Sequence, residues 1–116
     1  MKTIAKKNKI RLHLDGARAL NAAIFLGISP KELTKDFDTV NFCLSKGMGC
    51  PVGSLIIGSR ADIEHAQIIA KLLGGKMRQA GVLAACGLVS LDDWEEKLKM
   101  DHENAKFFAS LLSDVP

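Results

Sequence analysis

Two residues at the ends of short apolar runs, Asp15 and Lys46, carry the side chains best suited to chemistry in this sequence. Lys46 stands between Ser45 and Gly47-Met48-Gly49. As a loop residue it can simply be a solvated charge. The glycines, however, let backbone approach a ligand, and a lysine carried into a crowded, partly desolvated site becomes an amine nucleophile suited to a Schiff base. Asp15 can be read as a helix N-cap. It can equally be a carboxylate at the carboxyl end of a strand, where open α/β sheets bind ligands. Arg18, one helical turn later, can share that crevice and grip a carboxylate in a bidentate fork. A lysine for the aldehyde carbon and a carboxylate for the ring nitrogen are what pyridoxal phosphate needs. Gly74-Gly75-Lys76-Met77-Arg78-Gln79 offers a second basic loop, which is either a phosphate-binding helix start or a cap with solvated cations.

These residues need elements to position them. Ile10 to Asp15 alternates with period two and predicts a strand, broken by Gly16. Ala17 to Leu26 predicts a helix closed by Gly27, and Ser29-Pro30-Lys31-Glu32 opens a short helix to about Lys35. Thr39 to Leu44 predicts a second strand and the wholly apolar Ser54 to Gly58 a buried third. Helices are expected over 61–73 and 77–89, broken at Gly74-Gly75. Ser90-Leu-Asp-Asp93 reads as a capping box for a last helix to about Leu112, with Trp94, Leu98, Ala105, Phe108 and Leu112 on one face. Strands alternating with helices imply an α/β fold with a mainly parallel sheet flanked by helices. The chain opens on the last turns of a helix and closes at Asp114-Val-Pro116 just after one, as a piece of a longer α/β protein would.

Composition narrows the function. With 116 residues, 47% hydrophobic and 25% charged, the chain is one domain at most and of ordinary globular type. Sixteen Lys and Arg against 13 Asp and Glu give a net charge of +3, too little by itself to imply nucleic acid. Aromatics at 5% with no Tyr also argue against stacking platforms for single strands. No run is long enough for a membrane helix, and the Lys-rich start lacks the apolar run of a signal peptide. A cytoplasmic location is expected. Cys43, Cys50 and Cys86 fit neither a disulfide framework nor a metal pattern, so no metal is expected and reduced thiols are the simplest reading. Cys43 is expected to be a packing residue, and His13, His65 and His102 structural or exposed.

His13-Leu-Asp15-Gly-Ala-Arg18 and Phe42-Cys-Leu-Ser45-Lys46-Gly-Met-Gly-Cys-Pro-Val-Gly-Ser54 resemble the central motifs of the L-threonine aldolase family. Leu73-Gly-Gly-Lys-Met-Arg-Gln-Ala-Gly81 and Asp101-His-Glu-Asn-Ala105 are similar to its later motifs, in the same order over nearly the whole chain. Lys76 and Cys50 depart from the Gly and Ala expected there. The resemblance implies a pyridoxal 5'-phosphate enzyme of aspartate-aminotransferase-like fold type I, generally a homotetramer, that cleaves L-threonine or L-allo-threonine to glycine and acetaldehyde. It implies Lys46 as the Schiff-base lysine, Asp15 as the partner of the pyridine nitrogen, and Arg18 near the ring hydroxyl and substrate carboxylate. Ser45 and Arg78 are implied as further cofactor contacts and Lys71 as a substrate-side cation. Residues 1–91 would be the second half of the large cofactor-binding domain and 92–116 the helix leading into the small one. The family's glycine-rich phosphate cup and ring-stacking histidine lie upstream of this stretch, and its last carboxylate-binding arginine downstream. The alternatives are another fold type I pyridoxal-phosphate lyase, or a non-catalytic fragment acting only in folding or assembly.

Overall fold

A computed structural model describes residues 2–113, so the expected closing stretch 114–116 lies outside the described residues. Its elements are α1 (Lys2–Lys7), β1 (His13–Asp15), α2 (Ala19–Leu26), α3 (Pro30–Thr34), β2 (Thr39–Cys43), β3 (Ser54–Gly58), α4 (Arg60–Leu72), α5 (Gly81–Ser90) and α6 (Trp94–Leu112). The sheet order is β1-β2-β3. β1 and β2 run parallel, with His13 opposite Thr39 and Asp15 opposite Asn41. β3 runs antiparallel to β2, from Ser54 opposite Cys43 to Gly58 opposite Thr39. The α/β class therefore holds, with a mixed sheet. α2 and α3 return the chain to the starting edge before β2, as a parallel pair requires, whereas 44–53 holds no helix and turns straight back.

The differences from expectation have local causes. β1 begins at His13 rather than Ile10, because Asp38 takes over the ladder there: its carboxylate accepts the Leu12 N–H at 2.7 Å while its own N–H donates to the Leu12 carbonyl at 2.8 Å. α3 forms as its sequence dictates, with the Ser29 hydroxyl accepting the Glu32 N–H at 3.1 Å and Pro30 in the first turn. α5 begins at Gly81 and not at Met77, since Gln79 takes a left-handed backbone with φ of 52° that no helix tolerates. The expected capping box is not made. Ser90 is the last residue of α5 and buried, and Asp93 stands at the N-cap of α6 without a side-chain cap bond, its carboxylate paired instead with Lys97 at 2.7 Å.

The core lies beneath the connection from β2 to β3. Leu44, Met48 and Cys50 form it, with Leu20, Phe42, Cys86 and Trp94 packed against them, and Leu98 beside it is fully buried. Only the first turns of α6 take part; Phe108 and Leu112, expected on the same packed face, are exposed. β3 is a second correction. Leu55, Ile56 and Ile57, expected in a buried strand, are 43–54% exposed. The chain exposes 8925 Å² in total. A compact monomer of this mass exposes about 6,200 Å². The radius of gyration, 17.2 Å, likewise exceeds the roughly 13 Å of a compact chain this long.

α4 is fastened across the sheet by charge. Both terminal guanidinium nitrogens of Arg11 reach the Asp62 carboxylate, one at 2.7 Å, and the Ser59 hydroxyl donates to it at 2.6 Å. Those donors hold the Asp62 carboxyl well below the usual carboxylate range, the Arg11 hydrogen bonds contributing most. A depressed folded value means the pair's contribution is fully present above the ordinary value of about 3.9 and is lost as pH falls below it. Asp62→Asn is therefore expected to lower the urea midpoint at neutral pH and to flatten the fall of stability below about pH 4. Urea titrations across that range check it; an acid limb as steep as the parent's would contradict the assignment.

Candidate active site

The end of β1 is tied to β2 by two hydrogen bonds. The Gly16 N–H donates to the Asn41 side-chain oxygen at 3.1 Å, and the Cys43 N–H donates to the Ala17 carbonyl at 3.4 Å. A Cβ at Gly16 would lie 2.6 Å from the Asn41 carbonyl oxygen, so only glycine lets the chain turn this close to β2. With the parallel register, these ties place Asp15 and the turn after Cys43 beyond the same edge of the sheet. Asp15 is exposed there, and its carboxylate accepts the Ala17 N–H at 3.3 Å. It is not the cap of α2, whose N-cap position belongs to Arg18.

Lys46 follows Cys43 by three residues, on the turn that leaves β2. Leu44 and Met48, two residues to either side of it, are both buried at 4% exposure, while Lys46 itself is exposed. The turn is knit by its own backbone: Gly49 N–H to the Lys46 carbonyl at 2.8 Å, Cys50 N–H to Leu44 at 3.0 Å, and Leu44 N–H to Gly53 at 2.9 Å. Ser45 donates its N–H to the same Gly53 carbonyl at 3.4 Å. No carboxylate among the described residues pairs with the Lys46 amine, which leaves it available to a ligand. Gly47 is held against α2 and α6, and a Cβ there would meet Leu98 Cδ2 at 2.7 Å and the Asn21 side-chain oxygen at 2.9 Å.

Arg18 lines the narrow crevice between α2 and this turn, with Asn21, Gly47, Met48 and Leu98. It thus reaches the neighbourhood of Lys46 from α2, and no ion pair joins it to Asp15. Lys71 ends α4, and Arg78 lies in the link to α5; both are exposed. No hydrogen bond or ion pair among the described residues connects either to Lys46, Asp15 or Arg18. His13, at the far end of β1, contacts the Thr39 hydroxyl at 2.9 Å through Nδ1. Asn41 was missed by the sequence reading. The available signal was an amide in the middle of an otherwise apolar strand, a residue that strands disfavour.

The beta-eliminating lyase family profile matches residues 1–116. The chain belongs to the beta-eliminating lyase family. It is 50% identical over 112 residues to low-specificity L-threonine aldolase 1 of Arabidopsis thaliana, covering 97% of this chain and 31% of that protein. It is 43% identical to the low specificity L-threonine aldolase of Escherichia coli strain K12, covering 95% of this chain and 33% of that one. A solved structure from Listeria monocytogenes EGD-E, assigned as an L-allo-threonine aldolase, superposes with a TM-score of 0.84 at 26% identity over 94% of this chain and 30% of its own. The chain thus spans about a third of the length of the curated relatives it matches.

The contact at Gly47 gives a direct test of the turn. Leu98 is fully buried and cannot retreat, so Gly47→Ala is expected to destabilise by roughly 1–3 kcal/mol through overpacking. Leu98→Ala is expected to cost about 2–5 kcal/mol through the cavity it leaves. Urea midpoints of the two variants and the parent measure both; a neutral Gly47→Ala would mean α6 does not sit against the turn.

Proposed function

We propose that this chain is the lysine-bearing segment of a pyridoxal-phosphate-dependent L-threonine aldolase, a carbon–carbon lyase that forms glycine and acetaldehyde from L-threonine or L-allo-threonine. The observation that carries the reading is the parallel β1–β2 register, which delivers Asp15 and the Lys46 turn to one edge. The donor set fits the cofactor's needs. The Lys46 amine is exposed and free of a carboxylate partner, Asp15 spends one oxygen on a local N–H and faces solvent, and Arg18 approaches from α2. The named aldolase relatives support the choice of substrate class.

Bound pyridoxal phosphate supplies the electron sink that accepts the pair released when the Cα–Cβ bond breaks. The chain's own residues have distinct tasks. Lys46 would provide the primary amine that holds the cofactor's aldehyde carbon. Asp15 keeps a proton on the pyridine nitrogen by opposing its positive charge, which is the condition for the sink to work. Arg18 orients the substrate by holding its carboxylate, and Ser45 and Arg78 are assigned to the cofactor with Lys71 on the substrate side. Residues 1–91 are proposed to be the second half of the large cofactor domain, with α6 (Trp94–Leu112) leading toward the small one. The whole enzyme is proposed to be a cytoplasmic homotetramer.

The uncovered apolar surface favours a second reading, in which these residues alone act only as a folding or assembly partner. Treating the protein with pyridoxal phosphate, reducing with borohydride and mapping the labelled lysines separates the two. The aldolase reading expects the label on Lys46, its loss in Lys46→Ala, and cofactor affinity roughly tenfold or more weaker in Asp15→Asn, the scale of one charge-assisted bond. Labelling scattered over the lysines would discard it in favour of the assembly reading.

A further inference from the structure

Ser90 is the one polar residue buried among the described residues, at 7% exposure. A serine at the end of a helix ordinarily turns its hydroxyl to the carbonyl of its own preceding turn or to solvent. This one donates instead to the Met48 carbonyl, 42 residues earlier and two residues beyond Lys46. All the backbone bonds that shape the Lys46 turn close within 44–53, so they set its form without fixing it to the rest of the molecule. On one side Gly47 rests against Leu98 and Asn21 by contact alone. On the other, the Ser90 hydroxyl supplies a directional bond from α5. Among the described residues the only other donor to that carbonyl is the Cys50 thiol at 3.9 Å, a weak one.

We propose that Ser90 is a positioning residue for Lys46: its hydroxyl fixes the Met48 carbonyl and thereby the turn that presents the amine at the strand edge. The proposal rests on Lys46 being the cofactor lysine. Ser90→Ala removes the hydroxyl and keeps the packing, leaving the Met48 carbonyl without a strong donor in a buried place. The turn then stays folded but moves relative to Asp15 and Arg18.

Two readouts on the same proteins test it. Amide hydrogen exchange needs no cofactor, and in Ser90→Ala the Gly49 and Cys50 amides are expected to exchange about fivefold or more faster, with α4 amides unchanged. The reductive pyridoxyl label is expected to lose its preference for Lys46 over the other lysines, and Ser90→Thr, which keeps a hydroxyl, is expected to restore both. If exchange at Gly49 and Cys50 does not change, the bond does not hold the turn and the proposal fails. It fails also if exchange rises while a parent-like preference for Lys46 persists, since Ser90 would then be structural only. A parent protein that labels its lysines indiscriminately removes the cofactor reading itself, and the positioning role with it, whatever the exchange data give.

Discussion

The burial of Leu44 and Met48 on either side of Lys46 is the constraint on which the rest of this structure depends. An exposed amine is held in place because the residues two before and two after it are the centre of the core. α2, α5 and the first turns of α6 all converge on the underside of this one turn, through Leu20, Cys86 and Trp94 with Leu98 alongside. Packing and presentation of the amine are thus a single problem. A change that loosens the core here also moves the lysine, and interiors packed at crystal-like density do not yield by small amounts without cost.

A second organising feature is the division of charge and apolar surface. Charged contacts fasten the periphery: Arg11 to Asp62, Lys2 to Asp36, and the helical pairs Lys35 with Glu32 and Arg60 with Glu64. The exposed side chains of β3, with Ile68 and Leu72 of α4 and Leu88 and Val89 of α5, are by contrast apolar. Surface of that extent is typical of faces that other parts of a protein cover, and the length of the matched relatives accords with it.

Much of this was legible in sequence because it is local. The left-handed cap at Gly27, the Ser29-Pro30 start and the limits of β3 follow from turn and capping chemistry confined to a few residues. Asp15 was legible as a strand-end residue because Gly16 follows it, and Lys46 because an apolar run gives way to Ser45 and the Gly47-Met48-Gly49 turn. What escaped was set by tertiary partners. Ser90 has the sequence of a helix cap, and only its burial against Met48 diverts it. Asn41 looks out of place in a strand until the Gly16 N–H is seen to need it. β3 has the composition of a buried strand, which describes the faces it can satisfy rather than the neighbours present. The direction of β3 was likewise hidden, since it depends on the absence of a helix in 44–53 rather than on any residue within the strand.

That reversal of direction has a consequence for how the chain acquires its order. Pairing of β2 with β3 joins Cys43 to Ser54 across a short closed loop, whereas pairing of β1 with β2 must first bring His13 to Thr39 around two helices. The entropy lost on closing a loop grows with its length, so the antiparallel pair meets the smaller kinetic obstacle. The hairpin that contains Lys46 is also the part whose core contacts are nearest in sequence, Leu44 with Met48 and Cys50. Topology therefore gives the lysine's turn the lowest contact order in the sheet, and the carboxylate strand joins a surface whose shape is already set.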